Sequence, residues 1–110
     1  MPDDRRRHVR KRVDLRGTLV VKGEDRGPSV HVADLSVGGA FLETEATFAF
    51  GTEVTLEVEL PASKIAVPAT VRWVKPGGCG VQFGNLGVKQ TYAITEHLAD
   101  MEPMPDSRRF

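Results

Sequence analysis

The run Arg5-Arg6-Arg7-His8-Val9-Arg10-Lys11-Arg12 packs six cations into eight positions near the start of the chain. A second chemically distinctive stretch, Asp34-Leu35-Ser36-Val37-Gly38-Gly39, follows about two dozen residues later as a small polar turn between two apolar runs. Guanidinium forks grip phosphate oxygens or the O6/N7 edge of guanine, and their flat faces stack on purines. A carboxylate beside a hydroxyl and a bare backbone supplies acceptors for guanine N–H groups and room for close approach. Neither stretch is diagnostic alone. In this order and at this spacing they point to one anionic guanine nucleotide held between them.

Other chemistries find little support. Cys79 is the only cysteine, which excludes an intrachain disulfide and argues against a cysteine-based metal site. In its apolar setting it reads as buried filling. His8, His31 and His97 are scattered without metal-ligand spacing, so neither a metal nor a cofactor is expected. Glu57 and Glu59 fall on the solvent face of a strand rather than forming a hydrolytic pair. There is no nucleophile–base arrangement and no GxxxxGK[ST] phosphate loop, so an enzyme is not expected.

Length and charge narrow the class further. The 110 residues, 40% of them hydrophobic, suit one domain with a modest core. Net charge is zero, yet seven of the fifteen Lys/Arg residues lie in the first sixteen positions, leaving the remainder acidic. The basic charge is therefore a local device, not a global field for nucleic acid. Aromatic residues total only 6%, without the interleaved stacking platform of a single-strand binder. No run is long enough to span a membrane and no apolar signal core opens the chain, so a cytoplasmic protein is the expectation.

The elements that must position these residues read mainly as β. Residues 1–12 have too little apolar content to pack and are expected to form a flexible basic arm. Period-2 alternation then dominates: Leu19 to Val21, Val30 and Val32, Ala40-Phe41-Leu42, and the clean series Val54, Leu56, Val58, Leu60. Ile65 to Val74 follows, with Val67, Ala69, Val71 and Trp73 on one face and Pro68 marking an edge or bulge. Trp73 reads as core or rim packing, and His31 as an outward-facing strand residue. Cys79 to Phe83 closes a set of six short strands that suggests a small antiparallel barrel. A C-terminal helix is expected after Asn85 as N-cap, with Ile94, Leu98 and Met101 on one face. The expected division is an arm over 1–12, a barrel with its helix over 13–101, and a disordered tail over 102–110.

With those residues in place the sequence resembles the PilZ domain, the bacterial receptor module for cyclic di-guanylate (cyclic di-GMP). The family pattern is RRxxxR, then a strand, then [D/N]xSxxG. Arg5, Arg6 and Arg10 supply the first part, and Asp34, Ser36 and Gly39 the second. Ala40-Phe41-Leu42-Glu43-Thr44, Gly51-Thr52-Glu53-Val54, Val71-Arg72-Trp73-Val74 and Gly80-Val81-Gln82-Phe83 extend the likeness over roughly residues 5–98. Extra arginines leave the frame of the first motif open between Arg10 and Arg12 as its last residue. The Arg5/Arg6/Arg10 frame places Leu19-Val20 where the first barrel strand should begin, and keeps Arg7 and Arg12 as auxiliary or alternative contacts.

The resemblance implies a six-stranded antiparallel (split) β-barrel that binds cyclic di-GMP. Arg5, Arg6 and Arg10 would share phosphate pairing, guanine-edge hydrogen bonds and stacking. Asp34 would accept from guanine N1–H and the exocyclic amine, Ser36 would bond beside it, and Gly39 would admit the base or phosphate. Binding would order the arm, and the state would pass in trans to a partner protein in motility, pilus, exopolysaccharide or regulatory machinery. The alternative is a PilZ-like adaptor that acts through protein contacts without nucleotide. Neither nucleic acid nor membrane insertion is expected.

Overall fold

The computed structural model of the protein describes residues 11–99; residues 1–10 and 100–110 lie outside the described residues. Six strands, β1 (Lys11–Val21), β2 (Ser29–Leu35), β3 (Gly39–Glu43), β4 (Glu53–Glu59), β5 (Lys64–Lys75) and β6 (Gly78–Phe83), precede one helix, α1 (Val88–Leu98). Every strand pair is antiparallel, and the sheet closes as a barrel in the order β1-β2-β3-β6-β5-β4.

Alternation dictates the closure. Val54, Leu56 and Val58 of β4 point inward beside Val30 and Val32 of β2, Leu42 of β3, and Val67, Ala69 and Val71 of β5. Leu19, Leu35, Leu42, Leu56 and Cys79 are fully buried, each large aliphatic side chain contributing about 1.5–3 kcal/mol by leaving water. Ile94 and Leu98 of α1 add to this core from the helix. Burial pushes the Cys79 thiol above its ordinary value, which keeps it a protonated filler.

Strand β1 begins earlier than the sequence pattern suggests. Lys11 and Arg12 pair with Leu35 and Asp34, so the last two residues of the expected arm belong to the barrel wall. Val13, Gly17 and Leu19 face inward while Arg12, Asp14 and Arg16 face out, an alternation that the density of charge disguises. The Lys11 ammonium donates to the Leu98 carbonyl at 2.7 Å, placing a cation on the C-terminal end of α1. The helix itself starts at Gly87, not Asn85. The Gln90 side chain accepts from the Gly87 N–H at 2.8 Å and donates to the Ala66 carbonyl at 3.2 Å, tying the first turn to β5. Met101 and the expected tail over 102–110 fall outside the described residues.

Two irregularities in β5 matter. The Pro68 carbonyl accepts from Gly84 N–H, just beyond the last β5–β6 pair, Ala69 with Phe83. In an antiparallel strand a residue's nitrogen and carbonyl point the same way, so the donor that Pro68 lacks falls past the end of that ladder. The bulge comes four residues later, between Val71 and Trp73. It turns Trp73 out of the inward face that Val67, Ala69 and Val71 share, and the indole ends up 45% exposed.

His31 sits on the outer surface as a clasp across three strands. Its Nδ1 lies 2.8 Å from Glu43 on β3 and its Nε2 2.6 Å from Asp14 on β1. Two carboxylates can be satisfied together only if both ring nitrogens carry protons, so Glu43 first and Asp14 second raise the imidazole above 6.5. A raised folded value means the clasp contributes fully below about pH 6.5 and is lost as pH climbs through the shifted value. Asp14 is 93% exposed, so solvent screening keeps the contribution at about 1 kcal/mol or less. The melting temperature of the native protein relative to His31→Ala should therefore shrink between about pH 5.5 and about pH 9. A constant difference would show that the fold leaves the His31 imidazole at its ordinary pKa.

Candidate functional site

The β2–β3 turn gathers Asp34, Ser36 and Gly39 at one end of the barrel wall. A register shift in β2 between Val32 and Asp34 turns the Asp34 side chain under the turn. Asp34 and Ser36 are 4% and 3% exposed, the two buried polar or charged side chains among the described residues. The Asp34 carboxylate accepts from the Phe41 N–H at 3.1 Å. The Ser36 hydroxyl accepts from the N–H groups of Gly38 (3.0 Å) and Gly39 (3.2 Å), and the Ser36 N–H donates to the Gly39 carbonyl at 2.9 Å. The Phe83 N–H fastens the turn to β6 through the Gly38 carbonyl. The serine therefore builds the turn as much as it faces any ligand.

Gly39 has a packing reason for lacking a side chain. A Cβ there would stand 2.3 Å from the Val81 carbonyl oxygen of β6. Its bareness admits a neighbouring strand, and the residue also lines the cleft beside the turn.

That cleft, about 270 Å³, is walled by Asp34, Ser36, Gly39, Phe41, Arg72 and Trp73. Phe41 and Trp73 stack with ring centroids 5.2 Å apart and planes within 10°. Both rings lie over bare backbone: a Cβ on Gly78 would meet Phe41 Cζ at 2.6 Å, and one on Gly80 would clash with the Trp73 indole nitrogen. The Lys75 ammonium sits 4.9 Å over the Phe41 ring and the Arg72 guanidinium 5.8 Å over Phe50. Phe41 and Arg72 are what sequence reasoning missed, while Trp73, expected in the core or at the rim, stands at the rim. The signal was Gly78-Cys79-Gly80 opposite two aromatic residues, a strand stripped of side chains where rings must lie flat.

The Arg5, Arg6 and Arg10 positions, with Arg7, lie outside the described residues. Arg12 does not: its backbone is paired directly with Asp34. The chain from which the arginines extend therefore enters the barrel beside the acidic end of the cleft. Among the described residues no cluster of His, Cys, Asp or Glu could hold a metal ion. None of the described helices is long and apolar enough to cross a membrane.

A closed six-stranded antiparallel barrel followed by one helix, with a surface cleft beside the β2–β3 turn, defines the class of fold. The match that makes this specific runs over residues 4–100, and by it the chain belongs to the PilZ domain family. Solved structures agree on the fold. The PilZ domain of CeSA from a cellulose-synthesizing bacterium superposes with a TM-score of 0.68 at 16% identity, covering 82% of this chain and 95% of that one. The Bacillus subtilis inhibitor of motility (MotI/DgrA) superposes with a TM-score of 0.69 at 18% identity over 84% of this chain, which spans 48% of that longer protein. No curated protein matches the sequence significantly.

Proposed function

We propose that the protein is a cyclic di-GMP receptor that passes its ligand state in trans to a partner protein and performs no catalysis. The observation that carries this reading is the pairing of Arg12 with Asp34. Arg10 is two residues upstream and Arg5 and Arg6 a few more, and an extended chain advances up to about 3.3–3.6 Å per residue. All three guanidinium groups can thus reach a cleft whose rim begins at Asp34. Its volume of about 270 Å³ lies just below the roughly 300–1,000 Å³ typical of small-molecule sites. In this reading one guanine occupies the cleft, edge toward Asp34 and face toward Trp73, with the phosphates and second base left to the arginines. Asp34 and Ser36 bind the guanine edge in this arrangement, and Gly39 keeps the turn close against β6.

Calorimetry with cyclic di-GMP, cyclic di-AMP and GTP tests the reading. Cyclic di-GMP alone should bind tightly, and more weakly as salt rises. Arg6→Ala or Arg10→Ala should each weaken it by about 10- to 150-fold, the worth of a hydrogen bond to a charged group. Comparable binding of all three nucleotides would reduce the site to a nonspecific anion patch.

A further inference from the structure

Beyond Val71, strand β5 leaves the barrel wall with one edge open. The β4–β5 ladder ends at Glu53 with Thr70, and the loop before β4 adds two backbone bonds to Val71. Among the described residues no backbone group pairs with Arg72–Lys75 on that side, while β6 holds the other. All four residues are exposed, which a wall strand of a closed barrel does not allow. The bulge between Val71 and Trp73 is the cause, since it swings the strand outward.

The side chains around this edge form a coherent patch. Phe50, Trp73 and Val74 are 68%, 45% and 44% exposed, three of the five large exposed apolar side chains among the described residues. Arg72 and Lys75 bracket them, and among the described residues each lies over an aromatic ring rather than against a carboxylate. Lysine on an open edge discourages pairing with another copy of the same edge, because two cationic strands repel. The same charges favour an acidic strand, and exposed apolar side chains give it something to bury.

We infer that the open edge of β5, residues 72–75, docks an extended acidic segment of a partner protein by strand addition. Backbone bonds to the edge supply the pairing, Arg72 and Lys75 select acidic side chains, and Phe50 and Val74 receive alternate apolar ones. The inference rests on the receptor reading in one respect: Arg72 and Trp73 also line the nucleotide cleft, so the ligand and the partner meet at shared residues. Two cations and one short edge suit a peptide better than a phosphodiester chain, which needs a longer basic track.

The test uses the full chain and a capped hexapeptide alternating Asp with Val, followed by amide NMR shifts. Shifts should gather at Phe50 and residues 72–75, with slowed hydrogen exchange along the edge. Lys75→Glu should bind the peptide about fivefold more weakly, as loss and reversal of one exposed charge pair implies. Val74→Asp should weaken it too, while neither change touches a residue assigned to the nucleotide. A peptide N-methylated on alternate amides, or one with Lys in place of Asp, should not bind. Equal binding of either control peptide, or shifts centred instead on Tyr92 and His97 of α1, would overturn the inference. So would hexathymidylate perturbing the same amides as strongly, which would make the patch a nucleic-acid surface. Cyclic di-GMP titrated into the same samples separates the two claims: a failed nucleotide titration sinks the receptor reading, and a failed peptide titration sinks only the docking edge.

Discussion

Gly39→Ala should melt roughly 10–20 °C below the native protein, taking about 3 kcal/mol for an overpacked site and a few degrees per kcal/mol in a domain of this size. The added Cβ would sit 2.3 Å from the Val81 carbonyl oxygen, a backbone atom with little freedom to retreat. Ala40 pairs with Val81 and Gly39 with Gln82 in the β3–β6 ladder. On the other side, the Ser36 hydroxyl and N–H hold Gly39 by its own N–H and carbonyl. Strand and turn therefore cannot both yield. Gly84→Ala is the control: its Cβ would meet Pro68 no closer than 3.8 Å, and a change within about 0.5 kcal/mol is expected. Thermal denaturation of both variants decides the matter. A Gly39→Ala protein that melts like the native one but loses cyclic di-GMP would make the glycine a ligand-approach residue instead of a packing one.

The prediction shows why part of this site was legible in the sequence and part was not. Asp34, Ser36 and Gly39 are close in the chain, so a turn motif could announce them before any fold was known. Arg72 and Trp73 reach the same cleft only because β5 and β6 lie beside β3 in the closed order. Such non-local neighbours leave no mark in local spacing. The barrel was readable because inward residues recur with period 2 in β4 and β5. That same rule misplaced Trp73, since a single bulge shifts the phase and the alternation does not reveal it. The start of β1 failed for a different reason: Lys11 and Arg12 are held by pairing with β2 and by the end of α1, not by an apolar face. Asn85 resembled a cap by residue type, but the side chain of Gln90 determined where the helix could begin.

Asp34→Asn should separate holding the turn from reading the base. An amide keeps an oxygen for the Phe41 N–H, the 3.1 Å bond that the carboxylate makes now. What it removes is the second acceptor and the charge. Guanine presents two neighbouring donors, N1–H and the exocyclic amine, and a carboxylate can accept both while an amide sets its own N–H₂ against one of them. Losing one hydrogen bond to a charged group is worth about 1.5–3 kcal/mol, so cyclic di-GMP should bind about 10- to 150-fold more weakly. Asp34→Ala should lose at least as much affinity and also fold less stably, because it strands the Phe41 N–H in a buried site at about 1–3 kcal/mol. Calorimetry and thermal melts on the two variants together isolate the recognition step. Native-like affinity in Asp34→Asn would mean that this carboxylate serves only the β2–β3 turn, and guanine selectivity would then have to come from the arginines.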